Sequence, residues 1–150
     1  RISSTAVRAA LAEGNMRTAQ TYLGRHYSIS GRVEHGEGLG KKIGFPTANI
    51  QLKHNRPPLS GIFVVQAHAE GMGVLQGVAS LGVRPTVHQD GKPVLEVHLF
   101  EFAQQIYSKH VRLDFLHKLR DEEKYPDVET LTRQIALDVE NAKQWFKQNI

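Results

Sequence analysis

Tyr27-Ser28-Ile29-Ser30-Gly31-Arg32-Val33-Glu34 sets the chain into a period of two: Tyr27, Ile29, Gly31 and Val33 alternate with Ser28, Ser30, Arg32 and Glu34. Side chains two residues apart share one face of an extended chain, so the alternation predicts a half-buried strand. The same signal returns downstream. Ile50 and Leu52 continue a strand begun at Ala48. Gly61 to Ala69 is apolar enough at its start to be a strand buried on both faces. Gly71-Met72-Gly73 makes a hairpin turn, after which Val74 to Leu81 returns. Val94 to Phe102 and Lys109 to Phe115 complete the set, the last with Val111, Leu113 and Phe115 on one face. The intervening stretches carry loop and turn signals: His54 to Ser60 with Pro57-Pro58, Gly82-Val83-Arg84-Pro85-Thr86, and Asp90-Gly91-Lys92-Pro93. Short strands punctuated in this way predict a mainly β fold, a six-stranded antiparallel barrel of Greek-key type.

Both ends of the chain read as helical. Ser4 or Thr5 can cap a helix running through Glu13, which Gly14 ends. Asn15 caps a second, with Met16, Ala19 and Leu23 on one face and Gly24 as terminator. The pair is a short N-terminal helical hairpin. After Asp127, itself a cap, Val128, Leu131, Ile135, Val139, Ala142 and Phe146 follow a 3.6-residue period, the mark of a C-terminal α-helix packed on the barrel.

Composition bounds the function. The 150 residues suffice for one domain with a real core, at 40% hydrophobic and 23% charged residues. No apolar run of about 18 residues occurs, which argues against a membrane-spanning helix. Zero cysteines exclude disulfides and thiolate metal sites within the chain and are compatible with a cytoplasmic location. No two histidines stand at i,i+2 or i,i+4, so no histidine zinc site is readable. A net charge of +4 suits a polyphosphate ligand, and it also suits nucleic acid.

Between the first two strands lies Gly36-Glu37-Gly38-Leu39-Gly40-Lys41-Lys42-Ile43-Gly44-Phe45-Pro46-Thr47-Ala48-Asn49. Glycines at alternate positions let backbone N–H groups approach an anion, and the lysines add point charge. Thr47 and Asn49 then offer oxygens two residues apart on one side of the chain, a donor type that suits a hard cation such as Mg²⁺. The loop is not a Walker A motif, which would need Gly at His35 and Ser or Thr at Lys42. The glycines and lysines alone fit a solvated turn equally well. The continuation Gly44-Phe45-Pro46-Thr47-Ala48-Asn49 resembles the signature of riboflavin kinases, specifically the kinase module of bacterial bifunctional riboflavin kinase/FAD synthetases. The resemblance implies that Gly36, Gly38, Gly40, Lys41, Lys42 and Pro46 bind ATP phosphates, and that Thr47 and Asn49 serve both the phosphates and Mg²⁺. Leu39 and Lys41 stand where that family often has arginine.

Three further segments carry the likeness in order. Gly82-Val83-Arg84-Pro85-Thr86 resembles a Gly-x-Arg-Pro-Thr segment. Val94-Leu95-Glu96-Val97-His98-Leu99-Phe100 puts a carboxylate and an imidazole on one strand face, which polarity alternation alone would read as solvent-facing. A carboxylate at the mouth of a barrel can accept the proton of a substrate hydroxyl. The resemblance makes Glu96 the general base for the ribityl hydroxyl and leaves His98 structural or exposed. Leu119-Arg120-Asp121-Glu122-Glu123-Lys124-Tyr125-Pro126 reads as a solvated loop and resembles a Leu-Arg-x-Glu-x-Lys-Phe stretch on the flavin side, where Arg120 and Glu123 are the nominated residues. Finally, Ser3, Ser4, Thr5 and Arg8 match an Ile-Ser-Ser-Thr-x-x-Arg motif near the end of the adenylyltransferase module of the same bifunctional enzymes.

The resemblance therefore implies residues 1–24 as the helical tail or linker of an upstream adenylyltransferase module and 25–150 as a riboflavin kinase domain. The implied activity is ATP- and Mg²⁺-dependent conversion of riboflavin to FMN, the kinase step of FAD biosynthesis, with no adenylyl transfer by these residues. The alternative is a non-catalytic barrel that binds flavin or single-stranded nucleic acid.

Overall fold

The computed structural model describes residues 3–34, 44–53, 57–83, 92–101 and 106–150. The glycine-lysine loop with Gly36, Gly38, Gly40, Lys41 and Lys42, the Arg84-Pro85-Thr86 segment and Phe102 lie outside them. The elements are α1 (Ser4–Ala12), α2 (Met16–Leu23), β1 (Tyr27–Glu34), β2 (Ala48–Ile50), β3 (Gly61–Ala69), β4 (Gly73–Val83), β5 (Pro93–Leu99), β6 (His110–Arg120) and α3 (Val128–Asn149). The strands close in the order β1-β2-β5-β4-β3-β6, every pair antiparallel. Strands β3, β4 and β5 form a meander and β6 returns beside β3, which is a Greek key. Closure pairs every strand on both sides and removes the open edges that a sheet would present to other chains.

The barrel interior is packed with side chains. Phe63 and Phe115 meet edge to face at 5.3 Å, among Val33, Leu81, Leu95 and Leu113. Gly31 lies where β1 passes the exit of β2: a Cβ there would stand 2.3 Å from the Gln51 carbonyl oxygen, so the crossing requires glycine.

The hairpin packs on the barrel. Ser3 rather than Ser4 or Thr5 is the cap, its Oγ accepting from the Ala6 N–H at 3.2 Å. Asn15 accepts from the Thr18 N–H at 3.0 Å, and Gly24 ends α2 with φ +75°. Ala10, Leu11, Met16 and Ala19 are buried in the same cluster as the barrel interior, with α2 against β1 and β6.

Helix α3 covers an outer face. Asp127 caps it through the Thr130 N–H at 2.7 Å. Val139, Ala142 and Phe146 pack on Ile62, Val64 and Val78, which explains why β3 is apolar on both sides. Val128, on the expected stripe, is 53% exposed, and the first residue of the helix in the outer apolar cluster is Ile135.

Four strand ends differ from the expectation. Strand β2 ends at Ile50, β4 runs on to Val83, and β5 stops at Leu99, where Phe100 and Glu101 turn away, Glu101 with φ +52°. Strand β6 continues past Phe115 to Arg120. Its pairing with β3 is shifted between Ile62 and Phe63 and between Val64 and Val65. The bulges break the period of two: Leu116 faces the outer cluster as alternation from Phe115 requires, but Leu119, which strict alternation would put on the interior face with Phe115, joins the outer cluster as well. Among the described residues, no helix is long and apolar enough to cross a membrane.

Candidate active site

Strand register assembles the site. Glu34 pairs with Asn49, Asn49 with Glu96, and Glu96 with Ser80, a row across β1, β2, β5 and β4. Directly opposed residues share a face. In β5 the buried residues are Leu95, Val97 and Leu99, so Glu96 and His98 point outward. Glu96 therefore stands in mid-strand on the outer wall and not at a barrel mouth, because apolar side chains fill the interior.

Thr47, one residue before β2, donates its hydroxyl to Glu96 Oε2 at 3.3 Å. His98 Nδ1 donates to the Pro46 carbonyl at 2.8 Å, which assigns that nitrogen its proton. The Phe45 ring stands edge-on to the same imidazole at 5.6 Å. His98 thus fastens the segment 45–47 to β5, a structural role. Asn49 Oδ1 is buried and accepts no hydrogen bond among the described residues. A buried amide oxygen without a donor costs desolvation energy, on the order of 1–3 kcal/mol, unless something electropositive satisfies it. A hydroxyl and this oxygen beside a carboxylate form a hard-oxygen set that fits Mg²⁺, which takes few protein ligands and completes its shell with phosphate and water oxygens. No cluster of three or more His, Asp or Glu side chains suited to a metal occurs among the described residues, so such an ion would lean on its nucleotide.

The loop 121–127 approaches from the other side. At its start, Arg120 donates from Nε to Asp138 Oδ1 at 2.8 Å, from Nη2 to Asp138 Oδ2 at 2.7 Å and from Nη1 to the Asp121 carbonyl at 3.0 Å. Gln134 also donates to Asp138, at 3.0 Å. Burial opposes the charge of Arg120, but the hydrogen bond and charge of Asp138 outweigh it and hold the guanidinium pKa above its usual value. Arg120 therefore ties β6 to α3. Lys118 Nζ pairs with Asp121 at 2.6 Å, which holds the Asp121 carboxyl below its usual range. Glu123 is exposed, while the Tyr125 hydroxyl is buried without a hydrogen-bond partner among the described residues.

Glu122, which the sequence reading passed over, reaches the row itself. Its Oε1 accepts from Ser80 Oγ at 3.3 Å, and its carboxylate fills the space that a side chain at Gly82 would take, 1.7 Å from an added Cβ. The signal was present in the sequence, since Glu122 holds the Glu position of the Leu-Arg-x-Glu-x-Lys-Phe stretch. An open cavity of about 530 Å³ lies elsewhere, between the α1–α2 turn, β6 and the end of α3, and none of Thr47, Asn49 or Glu96 lines it.

Comparison with known proteins agrees with this architecture. A sequence model of the family described as "Flavokinase: Riboflavin kinase" matches residues 23–146. A protein of Haemophilus influenzae named bifunctional riboflavin kinase/FMN adenylyltransferase is 47% identical over 146 residues, covering 97% of this chain and 47% of its own length. The chain spans about half the length of the curated relatives it matches. Among solved structures, one described as a macrolide-efflux protein from Streptococcus pneumoniae superposes with a TM-score of 0.85 at 35% identity, covering 97% of this chain and 47% of that one. Riboflavin kinase from Trypanosoma brucei shares the fold with a TM-score of 0.56 at 21% identity, covering 81% of this chain and 80% of its own.

Proposed function

The chain belongs to the riboflavin kinase family, and from that premise we propose that it transfers the γ-phosphoryl group of ATP to the ribityl hydroxyl of riboflavin, giving FMN and ADP. The observation that carries the reading is the convergence of Thr47, Asn49 and Glu96 on one outer face of the barrel. Phosphoryl transfer asks a protein mainly for positioning and for stabilising charge. Gly36, Gly38, Gly40, Lys41, Lys42 and Pro46 hold the ATP phosphates in this proposal, and Thr47 with Asn49 offers oxygens to Mg²⁺. When bound, that ion neutralises charge on the phosphate oxygens. Glu96 orients the ribityl hydroxyl and takes its proton as the new O–P bond forms and the bond to the bridging oxygen of ADP breaks. Arg120 and Glu123 flank the flavin side, Arg120 chiefly by holding its loop.

The domain reading is proposed with it: residues 1–24 as the tail or linker of an upstream adenylyltransferase module, and 25–150 as the kinase domain, in a cytoplasmic protein. It is supported by the family match beginning at residue 23 and by relatives of about twice the length. A single-strand-binding barrel is disfavoured, because it needs exposed aromatics among its basic residues, whereas Phe63 and Phe115 are interior.

The test incubates the 150-residue chain with riboflavin, ATP and Mg²⁺ and separates the flavins by chromatography. FMN should appear, should depend on Mg²⁺, and should not proceed to FAD. A chain that folds and makes no FMN refutes the reading, and FAD refutes the domain assignment.

A further inference from the structure

Strand β2 pairs with β5 only as far as Ala48, which lies opposite Val97. One more step of that register would set Thr47 opposite His98, but the ladder stops before it. Pro46 has no N–H to give, so the chain ahead of Ala48 lacks a donor for extending the ladder. Thr47 nonetheless carries the hydroxyl that meets Glu96 and is assigned above to the cation. Its placement has to come from something other than strand pairing, and the side chain of His98 supplies it.

The imidazole makes two contacts with the segment. Nδ1 donates to the Pro46 carbonyl at 2.8 Å, and the ring meets Phe45 edge-on. The imidazole is backed in turn by Phe100, with centroids 6.0 Å apart, and Phe100 stands edge-on to Phe146 of α3 at 6.4 Å. Phe45, Phe100 and Phe146 all belong to the outer apolar cluster. A path of packed rings thus runs from α3 to the segment ahead of Thr47, and its one directed contact is the hydrogen bond to Pro46. The bonded carbonyl belongs to the peptide that joins Pro46 to Thr47. That unit is planar, so fixing its oxygen fixes the direction in which the chain enters Thr47.

We propose that His98 is a positioning residue for the metal and phosphate side of the site: by holding the carbonyl of the Pro46–Thr47 peptide, it aims the Thr47 hydroxyl at Glu96 and the cation. The proposal rests on the kinase reading above. It requires the donor and not merely the ring. Asparagine carries its side-chain nitrogen the same number of bonds from Cα as Nδ1 of histidine and can give the same hydrogen bond. Glutamine carries it one bond further out, and phenylalanine keeps a ring with no donor at all. The proposal also requires the neutral imidazole to keep its hydrogen on Nδ1.

The experiment measures steady-state FMN formation by the wild type, His98→Asn, His98→Gln, His98→Phe, Thr47→Val and the Thr47→Val/His98→Phe double variant, each as a function of Mg²⁺–ATP and of riboflavin, with a melting curve for each. Wild-type FMN formation separates this question from the kinase reading itself. His98→Phe and His98→Gln should raise the KM for Mg²⁺–ATP about 10-fold, within the range that misplacing a reactant costs, and leave the KM for riboflavin unmoved. His98→Asn should stay within about 3-fold of the wild type, because the donor is kept in place. The double variant should be no worse than Thr47→Val alone, because His98 acts through that hydroxyl. Independently of turnover, nitrogen NMR of the free protein in alkaline buffer should find the His98 hydrogen on Nδ1, the signal being identified by its loss in His98→Asn. The proposal is overturned if His98→Phe uses ATP like the wild type while His98→Asn does not, since the ring would then be the working part. It is overturned equally if the two losses multiply in the double variant, or if the hydrogen lies on Nε2. A purely structural role would lower the melting temperature with both KM values unmoved, and that result also sinks the idea. The Asn and Gln variants differ by one methylene, so they decide the matter even if His98→Phe does not fold.

Discussion

Thr47 and Glu96 are 49 positions apart in the chain and 3.3 Å apart in the fold. The hydroxyl can donate to the carboxylate and still offer its lone pairs elsewhere, which is what a residue shared between a base and a cation needs. Replacing Thr47 by Val keeps the β-branch that suits an extended chain and removes only the oxygen. Thr47→Val should weaken Mg²⁺–ATP use, on the order of 10-fold in its KM, and leave riboflavin binding unaltered. The check is a pair of titrations at fixed co-substrate, with a melting curve to confirm the fold. Unchanged ATP affinity and unchanged turnover would make Thr47 a strand residue and nothing more. Polarity alternation alone would leave Glu96 a solvent-facing strand residue, and only the resemblance singled it out. Its proximity to Thr47 depends on β2 lying beside β5, which no local pattern encodes. Glu122 was hidden for the same reason: a charge-dense loop reads as solvated until β4 is placed beneath it.

At the scale of elements, the apolar periods carried most of the fold. The 3.6 stripe after Asp127 found α3, and Gly24 and Asn15 marked the ends of α2, because capping is local chemistry. The far half of β6 was lost because two bulges reset which face each side chain takes. That same half carries a pH-sensitive contact between β6 and α3. His117 stacks on Trp145, the chain's single tryptophan, with centroids 5.7 Å apart and planes 16° from parallel. Burial holds the imidazole pKa below its usual value of about 6.5. The unfolded chain therefore binds the proton more readily. The contact's contribution to stability is fully present above pH of about 6.5 and is lost as pH falls from there through the folded value. Trp145 emission should titrate with a midpoint below 6.5 in the folded protein, and the transition should vanish in His117→Phe. A midpoint at or above 6.5 would contradict the assignment.

At the scale of the molecule, the barrel's interior is filled with side chains, so the proposed site lies on its outer wall. Six closed strands supply a stiff wall, and the register of β2, β5 and β4 lines up Asn49, Glu96 and Ser80 on it with little freedom to shift, since a slip of one residue would bury the polar set. Segments from three parts of the chain then converge on that wall: 45–47 fastened by His98, the 121–127 loop fastened by Arg120, and α3 covering the apolar remainder. The central claim is that this outer face performs the phosphoryl transfer, with Glu96 as its base. The most direct measurement compares the turnover of wild type and Glu96→Gln with saturating riboflavin, ATP and Mg²⁺, alongside riboflavin affinity. The amide keeps the shape of the carboxylate and cannot take the proton, so kcat should fall by about 10²-fold or more while riboflavin affinity stays near the wild-type value. A Glu96→Gln variant that turns over near the wild-type rate would contradict the account.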